Sequence, residues 1–172
     1  MQNRSLQRFR LRYMAFFGCI LFVCFMLQAA VFADDGPFAG FSGTWTGTGT
    51  LRPSNGPVER IRCNASYRPR GSLQHEIDLQ LRCVSDSYHF DLSGEFRADD
   101  RNQITGRWTE RSRSIGGTAV GNARGDRLQL HVESSGFAAN LVMVTRNRRQ
   151  SVTIDSRGGG QVVKASISLS RS

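Results

Sequence analysis

The sequence predicts an all-β protein in which about eight to ten antiparallel strands follow one another as a meander and close into a small barrel. Apolar residues recur at every second position in short segments, turn residues separate these segments, and no helical period is visible after residue 33. A β-sandwich is the alternative architecture. The barrel is favoured because sequential hairpins need no crossovers and closure leaves no exposed edge strands.

The first 33 residues predict an export signal that forms a helix ahead of the barrel. Four arginines precede an apolar run from Tyr13 to Ala33, which ends in small residues. The run approaches the roughly 20 residues that span a bilayer, so an uncleaved anchor is the alternative. Cleavage after Ala33 is favoured because Gln28 interrupts the run. The basic residues are Arg4, Arg8, Arg10 and Arg12.

Residues 34–172 are therefore predicted to form a single β-barrel domain. Losing residues 1–33 removes four basic residues and no acidic one, so the net charge falls from +9 to +5. No aromatic residues are interleaved with the arginines to stack bases, and an exported protein rarely meets nucleic acid, so nucleic acid is excluded as a partner. A membrane is expected as a partner only through the N-terminal segment, if that segment is uncleaved.

The first predicted strand runs from Phe41 to Leu51. Phe41, Trp45 and Leu51 lie on one face, and the opposite face carries serine and threonine. Glycines share the apolar face here and in later strands, where they would let the strands bend at barrel corners. These glycines are Gly43, Gly47, Gly49, Gly106, Gly117 and Gly121.

The next two strands alternate apolar residues with arginine, glutamine and carboxylates. The apolar faces carry Ile61, Cys63, Ala65 and Tyr67 in the second strand, and Leu73, His75, Ile77, Leu79, Leu81 and Cys83 in the third. Seven more segments with the same period follow. They are Tyr88–Leu92, Ile104–Trp108, Ile115–Ala123, Leu128–Val132, Phe137–Thr145, Gln150–Asp155 and Val162–Leu169.

One strand departs from this pattern, because both of its faces are largely apolar between Phe137 and Val144. Such a strand needs cover on its second face. A neighbouring segment such as residues 34–40, or another protein, is expected to supply that cover.

Two cysteines, Cys63 and Cys83, lie on the inner faces of consecutive predicted strands. In an exported protein a disulfide between them is the default expectation. Direct opposition of the two cysteines would place Tyr67 opposite Leu79 and leave a wide loop between the strands. A tight turn at Arg70–Gly71 would instead separate the cysteines too far for a bond.

The first strand carries a recognisable motif, Gly43-Thr44-Trp45, within the segment Phe41–Gly47. It resembles the Gly-x-Trp first strand of lipocalins and other calycin barrels. The resemblance implies a lipocalin-like barrel in which the tryptophan plugs the closed end and the cup holds a small ligand. The whole chain also resembles small exported proteins of unknown function from Gram-negative bacteria, which implies a periplasmic or secreted location.

No catalytic constellation is present, and no cofactor motif or metal-ligand spacing occurs, so an enzyme, a cofactor and a metal site are not expected. Two functions stay open. The first is a carrier that binds a small apolar ligand inside the barrel. The second is an interaction module for an envelope protein, such as an inhibitor or an assembly factor. The residues predicted to face a ligand are Trp45, Tyr67, His75, Phe90 and Trp108.

Overall fold

A computed structural model describes residues 36–71, 74–158 and 161–172, and for residues 161 and 162 it describes the backbone only. The predicted signal peptide at residues 1–33 lies outside the described residues. Within the described part of the chain, no helix is long and apolar enough to cross a membrane.

Ten antiparallel strands form one closed barrel. Each strand pairs with the next along the chain, and β1 closes the barrel by pairing with β10. The predicted all-β meander is therefore confirmed, and the barrel rather than the sandwich is correct. The strands are β1 Gly43–Pro53, β2 Glu59–Arg70, β3 Glu76–Val84, β4 His89–Ala98, β5 Gln103–Glu110, β6 Ile115–Arg124, β7 Arg127–Ser134, β8 Phe137–Arg146, β9 Arg149–Gly158 and β10 Gln161–Arg171.

The two ends of the barrel differ. A short 3₁₀ helix, Ala39–Phe41, lies at the end where β1 begins, and Phe38 and Phe41 are buried there. We call this end the floor; the turns β2–β3, β4–β5, β6–β7 and β8–β9 also lie there. The opposite end, with the turns β1–β2, β3–β4, β5–β6 and β7–β8, is called the mouth.

The disulfide predicted from the sequence is confirmed. Cys63 and Cys83 are direct cross-strand partners with their Cα atoms 4.1 Å apart, and they are bonded. The same register pairs Tyr67 with Leu79, as direct opposition of the cysteines requires. A wide connection between β2 and β3, rather than a tight turn, accompanies the bond.

Two local expectations differ from the structure. β3 begins at Glu76, so His75 precedes the strand instead of lying within it. Residues 34–40 are expected to cover the outer face of β8, but the large side chain of this segment lies inside the barrel. This side chain, Phe38, joins the buried core and packs edge to face on Phe41 in the floor, because two large aromatic rings bury more apolar surface inside the barrel.

Candidate functional site: the inner wall at the mouth

Trp45 forms the centre of the floor. Its side chain has no exposed surface, and its indole Nε1 donates a hydrogen bond to the Phe41 carbonyl oxygen at 2.8 Å. The guanidinium of Arg171, at the end of β10, lies 4.7 Å from the centre of the Trp45 ring. The tryptophan therefore ties the 3₁₀ helix, the first strand and the last strand together.

Tyr67 belongs to a buried polar chain beside this floor. Its hydroxyl donates to Gln150 Oε1 at 2.9 Å, and Gln150 Nε2 donates to Thr145 Oγ1 at 2.9 Å. Burial raises the pKa of the Tyr67 hydroxyl well above its usual range, so the phenol stays neutral. Sequence reasoning missed Gln150 and Thr145, because they join Tyr67 only through strands remote in sequence.

Toward the mouth, the inner face of the barrel is apolar but only partly buried. Eleven inward-facing residues pack against the core and still keep exposed surface. We call this surface the inner wall. Its members are Leu79, Leu81, Tyr88, Phe90, Leu92, Ile115, Val132, Phe137, Leu141, Ile154 and Val163.

Aromatic rings organise the inner wall. Tyr88 and Phe90 stack in parallel with their ring centres 6.2 Å apart. Trp108 meets Phe137 edge to face at 5.7 Å, although β5 and β8 are not neighbouring strands. Trp108 is itself buried, and its Nε1 donates to the Thr118 carbonyl oxygen at 3.1 Å. Aromatic faces of this kind suit flat apolar ligands.

Glu110 is a buried carboxylate at the mouth end of β5. It accepts hydrogen bonds from the Ser112 hydroxyl and from the backbone N–H groups of Asp91, Ser112 and Arg113. Burial acts to raise the pKa of Glu110, but these donors outweigh it and lower the pKa to about 2. Its oxygens are occupied by donors from the β5–β6 turn and from β4, so Glu110 holds that turn against the neighbouring strand.

Arg113 lies beside Glu110 and covers part of the inner wall. Its guanidinium is 4.9 Å from the centre of the Phe90 ring, and it pairs with Glu110 at 3.4 Å. Its charge is therefore already compensated where the barrel opens.

The five residues predicted to face a ligand thus fall into different places. Phe90 belongs to the inner wall, and Trp108 is buried in the core against Phe137 of that wall. Trp45 and Tyr67 are buried in the floor. His75 is half-buried ahead of β3 at the floor end, where its carbonyl oxygen accepts the Ala98 N–H at 2.8 Å.

The outer wall carries two open recesses of about 700 and 380 Å³. The larger crosses β2 to β6 and presents both charge signs, with Arg68 and Arg107 near Asp78 and Glu95. This lining does not suit an apolar ligand. Among the described residues, no three histidine, cysteine or carboxylate side chains come together as a metal site.

Comparisons with known proteins define the fold class. No family model matches the chain, and no curated protein sequence gives a significant match. The structure is similar to that of the S-type phycobiliprotein lyase CPES from Guillardia theta, with a TM-score of 0.62 and 10% identity over 78% of this chain and 90% of that one. It is also similar to Rv2717c from M. tuberculosis, with a TM-score of 0.64 and 14% identity over 78% and 94% of the two chains. At these identities the likeness establishes a calycin-like barrel fold and nothing finer.

Proposed function

We propose that this protein is an exported carrier that binds a small apolar or aromatic molecule at the inner wall. The observation that carries the proposal is the ring of inward-facing apolar side chains that keep exposed surface toward the mouth. Ligand sites are concave and mostly apolar, and a barrel opening is a common place for them.

A carrier fits better than an enzyme. Glu110, the buried carboxylate at the mouth, has its oxygens occupied by hydrogen bonds from a hydroxyl and three backbone N–H groups, which leaves it poorly placed to act as a general base. One structural neighbour is named a phycobiliprotein lyase, so the expectation that this chain is not an enzyme stays a prediction.

The compartment belongs to the same proposal. Residues 1–33 act as the signal peptide, and residues 34–172 are the exported domain, in the periplasm or outside the cell. The Cys63–Cys83 bond supports an oxidising compartment.

The proposal is tested with the neutral apolar dye Nile red and a space-filling variant. Val132 faces inward beside Ala119 and Ala139, so Val132→Phe should fill the interior. Val120→Phe is the matched control, because Val120 is 53% exposed on the outer wall. We expect saturable dye binding that Val132→Phe weakens about 10-fold, equal to about 1.4 kcal/mol, and that Val120→Phe leaves unchanged.

Circular dichroism checks that both variants fold, and Phe90→Ala provides a second change to the wall. If Val132→Phe binds the dye as tightly as Val120→Phe, the dye binds outside the barrel. Native mass spectrometry of protein purified from its own envelope then looks for a retained ligand. If the purified protein carries no ligand and does not bind Nile red, the carrier proposal is wrong. The remaining function is then an interaction module with an envelope protein as partner.

A further inference from the structure

The floor end of the barrel carries a cluster of arginines that the carrier proposal does not use. The turns β6–β7 and β8–β9 contribute five exposed arginines and one carboxylate side chain, Asp126. Arg146 pairs with Asp126, and its side chain is still 75% exposed. We call this surface the basic face. Its arginines are Arg124, Arg127, Arg146, Arg148 and Arg149. Arg171, whose guanidinium covers the Trp45 ring, lies at the inner edge of this face.

The strand register places like charges directly opposite each other in both hairpins. Arg124 pairs with Arg127 across β6 and β7, and Arg146 pairs with Arg149 across β8 and β9. Like charges at directly opposed positions destabilise a sheet. Solubility alone does not need such pairs, since the same arginines could be spread over the outer wall.

Backbone contacts hold these segments together. The Thr145 N–H donates to the Asp126 carbonyl oxygen at 2.8 Å, which joins the two turns. The Arg171 N–H donates to the Arg148 carbonyl oxygen at 3.0 Å, and the Arg148 guanidinium returns a bond to the Arg171 carbonyl at 2.9 Å. The arginines therefore form one surface.

The chain also enters the barrel at this surface. The Arg171 guanidinium donates to the Gly40 carbonyl oxygen, and the Ala39 N–H donates to the Gly36 carbonyl at 3.0 Å. Residue 36 is thus within one turn of the basic face.

We propose that the basic face rests on an anionic lipid surface, with the barrel axis directed away from the membrane and the mouth facing water. Arginine forks match phosphate oxygens, and each basic side chain near an anionic bilayer contributes about 1 kcal/mol of attraction. The inference does not depend on the carrier proposal, because it concerns the opposite end of the barrel.

The experiment compares partition onto vesicles of phosphatidylcholine alone and of phosphatidylcholine mixed with phosphatidylglycerol. The protein is purified from the cell envelope in the form found there, with or without the N-terminal segment. The measured quantity is the partition onto anionic vesicles divided by the partition onto neutral vesicles. A retained N-terminal segment contributes equally to every variant in this ratio. The test variant is Arg124→Gln/Arg127→Gln/Arg149→Gln, and the control is Arg52→Gln/Arg60→Gln/Arg62→Gln, three exposed arginines in the mouth half of the barrel.

We expect the test variant to lower the ratio at least about 10-fold and the control to change it less than about 2-fold. Orientation is read from a polarity-sensitive dye on Ser172→Cys at the floor end or Ser87→Cys at the mouth end, with Cys19 and Cys24 changed to alanine. The dye at position 172 should respond to anionic vesicles and the dye at position 87 should not.

Equal losses in the two triple variants would overturn the proposal, because net charge alone would then explain the attraction. A response at position 87 instead of 172 would overturn the orientation. Tight binding to a soluble polyanion, without any preference for anionic vesicles, would assign the basic face to an acidic polymer.

Discussion

At the scale of single residues, Glu110 illustrates how a buried charge is tolerated without a catalytic role. Glu110 is 4% exposed, yet hydrogen bonds from a hydroxyl and three backbone N–H groups replace the lost water. Every one of those groups belongs to the β5–β6 turn or to the neighbouring strand β4. The carboxylate therefore fixes the local shape of the mouth.

The lowered pKa of Glu110 gives a prediction about acid stability. Its pKa in the folded state is about 2, against 4.5 for the ordinary carboxyl, so the ionised form stabilises the fold above about pH 4.5. That stabilisation is lost as the pH falls from about 4.5 toward 2. Glu110→Gln should therefore lower Tm at neutral pH and flatten the dependence of Tm on pH in this window.

Thermal melts between pH 2 and 7 measure the effect, with Glu95→Gln on the outer wall as the control. The control should keep the slope of the parent protein. A Glu110→Gln variant with the parent's slope would show that Glu110 does not hold the turn.

At the scale of elements, glycines determine where the wall of the barrel can bend. A Cβ atom built on Gly47 of β1 would lie 1.9 Å from the Ser168 carbonyl oxygen of β10. This contact is far inside any van der Waals distance, and the obstructing atom is backbone. The two strands that close the barrel therefore approach closely because positions 47 and 49, both against β10 carbonyl groups, lack side chains.

Gly47→Ala should accordingly destabilise the protein by about 1–3 kcal/mol, because β1 and β10 must move apart. Gly56→Ala in the β1–β2 turn is the matched control, since its nearest contact would be an ordinary 3.7 Å from Pro53. The control should stay within about 0.5 kcal/mol of the parent. Urea unfolding followed by circular dichroism compares the two. Equal stabilities would mean that the closing strands can relax around a methyl group.

The elements also show what the sequence could predict. Alternation of apolar and polar residues is a local property, so the strands and their inner faces were predictable. The sequence also predicted that Cys63 and Cys83 lie opposite each other, because a disulfide between these two consecutive strands requires a register that places the cysteines directly across from one another. The pairing of Tyr67 with Gln150 was not predictable, because it joins residues 83 positions apart. His75 lies outside β3 because the wide connection required by the disulfide takes up the residues before Glu76.

At the scale of the whole molecule, the barrel separates two surfaces of opposite character. The inner wall at the mouth is apolar, and the basic face at the floor is charged. The predicted ligand residue Phe90 lies on the inner wall because period-two alternation determines which face a side chain lies on. The basic face could not be predicted from alternation, since it depends on which turns become neighbours when β1 and β10 close the sheet.

Trp45 lies where β1 and β10 pair to close the barrel. The side chain touches the 3₁₀ helix through its hydrogen bond to Phe41, and Arg171 of β10 covers its ring. Phe41 in turn packs edge to face on Tyr67 at 5.5 Å. One side chain thus links the entering chain with the strands at both sides of the closure.

Trp45→Ala should therefore lower the free energy of unfolding by about 3–5 kcal/mol, because a large cavity opens and the Phe41 carbonyl loses its donor. Tyr88→Ala at the mouth is the control, since Tyr88 is only half-buried and should cost clearly less. Chemical unfolding followed by far-ultraviolet circular dichroism is the suitable measurement, because the change also removes one of two tryptophan fluorophores. A Trp45→Ala protein as stable as the Tyr88→Ala protein would mean that strand pairing closes the barrel without the plug at its floor.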